Sequence, residues 1–451
     1  MFSSAVVYVP RIGAQEAPVK LTTRRCAGMS VFYTVLLFFL VGSVAMSCEA
    51  SAQGASESNK QASKKRRAKR FVQDRFAIAL FGDPPLTGPR YKEIADANFN
   101  LVAGNLHADT RAKVVRQISL CQKHGLKALA ICQELPAEDL PEGDACWGYI
   151  VKDEPSATLF PELAKKVEAI RKARPGRLPL INLMGNYVQL TPENLGARDY
   201  QDHLDKYMAQ IDPEVLSMDY YPFFLPSGDD RDGLCNALEP MRKSALKHGI
   251  PFWNCINCMP YGMHTDPTEG QLRWQIYTSL AYGSKGIIYF CYFTPLSPEF
   301  PKGGAIIGRD GRRTRHWYQA RRINEQLMNL GPTLMKLTST GVYRVKDGDG
   351  ARFLKRTGIK SIVHAEVDPP QDYLVGAFKH ADGRRAVMFN NYRFAFAAWP
   401  TIEFGVPLEH VREVDKYSGK EVSVLDDSPD MDGLQISLDS GEGRLFLLPS
   451  S

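Results

Sequence analysis

No glycine-rich phosphate loop follows the first β-rich segment of this chain, and no serine in the strand-to-helix turns sits in a nucleophile-elbow pattern. The first absence disfavours a doubly wound dinucleotide-binding sheet, and the second a Ser/His/Asp hydrolase. Excess charge is also scarce in the body of the chain. The formal net charge is +6, but Lys64-Lys65-Arg66-Arg67 and Lys69-Arg70 form a run set among Ser, Gln and Ala, and without it the remainder is close to neutral. Nucleic-acid binding needs a clustered basic face interleaved with aromatics. With none at high density, nucleic acid is not expected as a partner, and the basic run reads as a solvated linker. Nine cysteines less Cys26 and Cys48 leave seven, an odd number, so at least one is unpaired. Cys132, Cys255, Cys258 and Cys291 lie in apolar runs, where a small buried hydrophobe is the ordinary role. Cys255-Ile256-Asn257-Cys258 has zinc-like spacing but no second ligand pair follows, so no metal is expected.

What is present begins with a strongly apolar stretch at 31–46, preceded by Arg24-Arg25 and followed by Ala50-Ser51-Ala52. A membrane-spanning helix needs about twenty apolar residues. The shorter run with small residues after it reads as an export signal, with an uncleaved anchor as the alternative. Residues 1–52 are therefore expected to be a signal or leader and 53–73 a polar basic linker.

From residue 76 short β-rich runs alternate with amphipathic stretches. The runs are 76–82, 100–105, 127–134, 147–154, 178–186, 215–221, 252–259 and 286–293. Between them, 110–124, 162–173, 200–210, 238–248 and 269–282 show helical spacing, and 316–330 supplies the eighth helix. Eight such units predict an α/β fold, a closed (β/α)8 barrel over 74–333, with an open doubly wound sheet as the alternative. After it, short alternating segments joined by turns such as Asp347-Gly348-Asp349-Gly350 predict a smaller antiparallel β-sandwich over 334–451.

Active sites of such barrels lie at the C-terminal ends of the strands. The tetrad Lys152-Asp153-Glu154-Pro155 closes the fourth run and puts two carboxylates at that rim, since Pro155 cannot continue a sheet ladder. Helix capping by Asp153 or Ser156 is the competing account of the same residues. The other strand ends offer Asp83, Asn105, His107, Glu134, Asn186, Asp219, Tyr220, Tyr221, Trp253, Asn254, Asn257 and Tyr292. Carboxylates, amides and flat rings at one mouth suit a sugar. Glycoside hydrolysis needs one protonated carboxyl and one ionised partner. Glu154 fits the acid and Asp219 is the favoured second group, with Glu134 behind it.

Glu154-Pro155 at the end of the fourth strand resembles the Asn-Glu-Pro signature of clan A glycoside hydrolases, the superfamily of the family 42 β-galactosidases. Met218-Asp219-Tyr220-Tyr221-Pro222 and Ala281-Tyr282-Gly283-Ser284-Lys285-Gly286-Ile287 add to the likeness, which covers residues 76–330. The resemblance implies Glu154 as acid/base, Asp153 as a sugar-hydroxyl contact, a carbohydrate substrate and no cofactor. It also implies a nucleophilic Glu ending strand seven, where this chain reads Asn254-Cys255-Ile256-Asn257-Cys258. A carbohydrate-binding barrel without catalysis is therefore the rival reading, and a polysaccharide lyase with Tyr220 or Tyr221 as base a third.

Overall fold

The computed structural model describes residues 70–450, apart from 83, 106–107, 132–134, 188, 347–353, 364–369, 427, 429 and 431. The expected leader and nearly all of the linker lie outside the described residues, as do Asp83, His107 and Glu134. Among the described residues, no helix is long and apolar enough to cross a membrane.

Eight parallel strands close into a barrel: β1 Ala77–Phe81, β2 Leu101–Ala103, β3 Lys127–Ile131, β4 Cys146–Asp153, β5 Leu178–Leu183, β6 Leu216–Asp219, β7 Phe252–Asn257 and β8 Gly286–Phe290. Their apolar runs are nearly continuous because each strand is covered on both faces, by barrel interior and by helices. The helices are α1 Gly88–Asp96, α2 Arg111–Lys123, α3 Phe160–Ala173, α4 Tyr200–Ile211, α5 Arg231–His248, α6 Glu269–Ala281 and α7 Arg315–Leu334. Several start on a side chain that accepts a backbone N–H: Thr110 from Lys113, Asp199 from Asp202, Asp230 from Gly233, and Thr268 in a reciprocal box with Gln271. The strand-helix count differs from expectation at one point. Between β3 and β4 the described residues hold only the 3-10 turn Ala137–Asp139.

The foot of the barrel is plugged by aromatics. Phe71 packs edge-on to Trp147, which stacks on Trp253 at 6.5 Å, and the Trp253 indole N–H donates to Gln73 at 3.0 Å. Gly286 makes room for that indole, since a Cβ there would lie 2.6 Å from it.

The C-terminal part is two antiparallel sheets facing across a shared apolar core. Its strands are β9 Leu337–Lys346, β10 Ile359–Val363, β11 Asp372–His380, β12 Arg385–Asn391, β13 Thr401–Phe404, β14 Arg412–Val414, β15 Glu421–Ser423, β16 Leu434–Gln435 and β17 Gly443–Leu448. One sheet runs β9-β11-β12-β17-β14-β15 and the other β10-β13-β16. Val375, Val387, Phe389, Ile402, Phe404 and Phe446 fill the space between.

Helix α6 is the joint between the two parts. It is buried on nearly every side, Trp274, Tyr277 and Leu280 included, because one face meets the barrel and the other meets β11 and β12. The Asn390 amide donates to the Tyr277 carbonyl at 2.7 Å. Gly376 on β11 has no Cβ because the α6 backbone is in the way: one would stand 2.3 Å from the Ala281 carbonyl oxygen. Gly376→Ala is therefore expected to lower the urea midpoint by the equivalent of about 1–3 kcal/mol, the cost of overpacking a close contact. An unchanged midpoint would mean that the sheet can move off the helix.

Candidate active site

Side-chain direction at the barrel's C-terminal end follows from strand parity and from one bulge. On β4, Ile150 faces the interior and Val151 the helices. The β4–β5 register then slips between Ile150 and Lys152, and the extra residue lets Asp153 pair with Asn182 at the interior face. Next door, the β5–β6 register sets Asn182 beside Ser217, and Asp219 follows one inward step later. Ser156, and not Asp153, caps the short turn leading to α3, so the two acids are left for the mouth.

The Asn182 amide ties the layer together. Its Nδ2 donates to Asp153 Oδ1 at 3.1 Å and to Asp219 Oδ1 at 3.0 Å, while its Oδ1 accepts from Ser217 Oγ at 2.7 Å. Glu154 lies above this layer and its carboxyl is hydrogen-bonded to that of Asp219. Glu154 holds a backbone φ of 42°, left-handed for a residue with a side chain, and its N–H donates to the Asn182 carbonyl at 2.8 Å. A non-glycine residue in that region directly before proline is strained, and such strain persists where surrounding contacts enforce it, most often at functional sites.

Asp219 is buried, at 7% exposure, whereas Asp153 and Glu154 are reached by solvent although walled by protein. That enclosure is the main reason the Glu154 carboxyl is pushed up to about 7, with the Asp153 charge adding to it and the Asp219 hydrogen bond offsetting part. Burial, then the charges of Glu154 and Asp153, hold Asp219 well above the usual carboxylate range, and burial also raises Asp153. Glu154 and Asp219 thus compete for protons as a pair.

Aromatic rings wall the same mouth. Tyr221 faces inward at 5.8 Å from Phe290, 6.0 Å from Tyr261 and 5.5 Å from His264. Tyr187, in the loop after β5, stacks on Tyr220 at 4.4 Å, and the charges of Asp219 and Glu154 act on its phenol. Gly185 lets this loop lie against β6, as a Cβ would meet the Asp219 carbonyl oxygen at 2.3 Å. Burial pushes the Tyr187, Tyr221 and Tyr261 phenols up, so they stay neutral and can donate hydrogen bonds. The same upward push on Tyr220 and Tyr221 is opposite to what a lyase base requires.

Of the residues singled out in the sequence, Glu154, Asp153, Asp219 and Tyr221 come together. Others point elsewhere. Tyr220 faces the helices and donates to Asp230. Asn254 also faces outward, donating to Ser279 Oγ at 2.9 Å, and Tyr292 is buried 5.8 Å from Phe99 on the outer side. Trp253 belongs to the foot, at the N-terminal end of β7, and Asn105 is fully buried, bracing the loop after β1 through the Pro84 carbonyl at 2.9 Å. The outward placements of Tyr220, Asn254 and Tyr292 share a cause, since both faces of a barrel strand are apolar and its sequence does not reveal which side points in, whereas Trp253 points inward at the opposite end of its strand. Asn186 is half-buried three residues beyond the end of β5. Asn182, Tyr187, Tyr261 and His264 join the site, residues that no strand-end pattern marks in the sequence. β7 ends at Asn257 without a carboxylate. A cleft of about 470 Å³, lined in part by Arg70, Arg242 and Lys285, opens at the foot, away from the carboxylates.

No protein-family model matches the chain, and no curated protein matches it in sequence. Solved structures do match. A family 42 β-galactosidase from G. stearothermophilus superposes with a TM-score of 0.52 at 9% identity, over 84% of this chain and 100% of that one. A β-galactosidase from Bacillus circulans sp. alkalophilus gives 0.50 at 10% identity, over 83% and 99%. Against a β-galactosidase from the psychrophilic Marinomonas ef1 the score is 0.44 at 10% identity, over 56% of this chain, which spans 60% of that protein's length. The likeness is one of fold: a closed (β/α)8 barrel followed by a smaller antiparallel β-sandwich-like domain, as the sequence predicts.

Proposed function

We propose that the protein is an exported glycoside hydrolase whose acid is Glu154. The observation that carries this reading is the Glu154–Asp219 carboxyl contact at the C-terminal ends of β4 and β6, beside the open carboxylate of Asp153 and beneath an aromatic wall. A carboxyl that binds its proton up to about pH 7 can give it to a leaving oxygen at neutral pH. Asp219, buried and already bonded to Glu154 and Asn182, is badly placed to attack a sugar and acts as proton partner. Asp153, which solvent reaches, is the group that can activate water. Carbohydrate as the substrate follows from the rings, which offer apolar faces, and from the neutral phenols, which offer donors. Export rests on the 31–46 apolar stretch.

Incubation with a panel of aryl glycosides and polysaccharides tests the assignment: release of product by wild type and its loss in Asp153→Asn are expected. Turnover that Asp153→Asn and Glu154→Gln both leave unchanged would sink it. The missing carboxylate on β7 favours a second reading, a carbohydrate-binding barrel without turnover. Calorimetric binding with no product after long incubation would select it.

A further inference from the structure

The geometry points to a second binding site at the foot of the barrel, apart from the mouth. The cleft between the strand bottoms and β9 takes a small organic acid, its carboxylate on the Lys285 ammonium and its apolar body against Ile250, Phe252, Met335 and Leu337.

The backbone fixes Lys285 in place. It donates its N–H to the Phe252 carbonyl at 2.8 Å, and its own carbonyl accepts from the Ala77 N–H at 3.1 Å and from Gln73 Nε2 at 2.7 Å. The side chain lines the cleft, where Nζ donates to the carbonyls of Leu334, the last residue of α7, and of Leu337 at 2.6 Å. An ammonium has three N–H donors. The third has no acceptor among the described residues, and no carboxylate there neutralises the charge. Burial alone acts on this amine and holds it down to about 8, with no acid set against it. A cation withdrawn from water without a counter-charge costs free energy, and an anion in the cleft would recover it.

The other charges around the cleft are already matched. Arg70 bonds both Asp212 and Glu214, and Arg171 also holds Glu214 at 2.9 Å. Arg242 grips Glu239 through two bonds of 2.7 Å each. The Tyr282 phenol, pushed up by burial, stays neutral. One positive charge is left over, which suits a monoanion better than a phosphate dianion. Ser339 adds a second donor, two residues along β9 from Leu337 and buried like it. Its Oγ accepts from Arg242 Nη1 at 3.4 Å, so its own O–H is left to give.

Calorimetry on the whole protein near neutral pH, with octanoate as probe, is expected to show one saturable site of submillimolar affinity. Octanol has the same tail without the charge and is expected to bind at least tenfold more weakly, as is octanoate to Lys285→Met. At about pH 9 the free amine is mostly neutral, so octanoate binding should take up a proton, read as heats that differ between buffers of different ionisation enthalpy. Equal affinities for octanoate and octanol, unchanged affinity in a folded Lys285→Met, or tighter binding of inorganic phosphate than of octanoate would each overturn the inference, as would no saturable binding. If Lys285→Met fails to fold, the octanol comparison and the proton uptake of the wild type decide.

Discussion

Glu154→Gln is expected to lower kcat by about 10²–10⁴-fold on substrates with poor leaving groups, the usual worth of a general acid. On aryl glycosides whose leaving phenol is acidic the loss should be much smaller, because such an oxygen departs with little help. The pH profile provides a second signature. In wild type the acid is available below about pH 7, where Glu154 carries its proton, and activity falls as the pH rises through that value. The glutamine variant has no proton to lose, so its residual rate should show no fall there. Equal losses on both leaving groups, with the alkaline limb intact, would take the acid role from Glu154.

The same carboxyl has a thermodynamic side. Its folded value of about 7 exceeds the ordinary glutamate value of about 4.3. Between the two the folded state binds more protons than the unfolded chain, so stability falls as pH rises across that window. Glu154→Gln should therefore melt above wild type at pH 8, and the gain should vanish below about pH 4. A residue that improves catalysis at the expense of stability is what a functional acid looks like.

The largest stability effect is expected at the other end of the barrel. Trp253 is fully buried, stacked on Trp147 and bonded to Gln73. Trp253→Ala should destabilise the protein by about 3–5 kcal/mol in denaturant titration, the cost of emptying a large aromatic site. Because the indole lies at the foot, kcat and KM of the surviving folded fraction should match wild type. A selective rise in KM would instead return Trp253 to the substrate site.

Much of this architecture is legible in the sequence because parallel strands and their helices alternate so regularly. Counting the strands brings Glu154 to the fourth and Asp219 to the sixth without any knowledge of their contact. What stays hidden is local. Asn182 is masked in the sequence because the apolar run of strand five continues beyond Leu183, so that the run ends at Asn186. Tyr220 and Tyr221 are adjacent and chemically alike, yet only one faces the mouth. The register slip on β4 leaves no mark in composition, although it decides where Asp153 points. Tyr261 and His264 belong to a loop, where periodicity has nothing to say.

Helix α6 carries a consequence for modularity. Its second apolar face is covered by β11, β12 and the neighbouring residues Tyr392, Phe394 and Gly441, so the C-terminal part is no detachable appendage but one wall of the barrel's own helical ring. A barrel cut free of it would expose Trp274, Tyr277 and Leu280 to water.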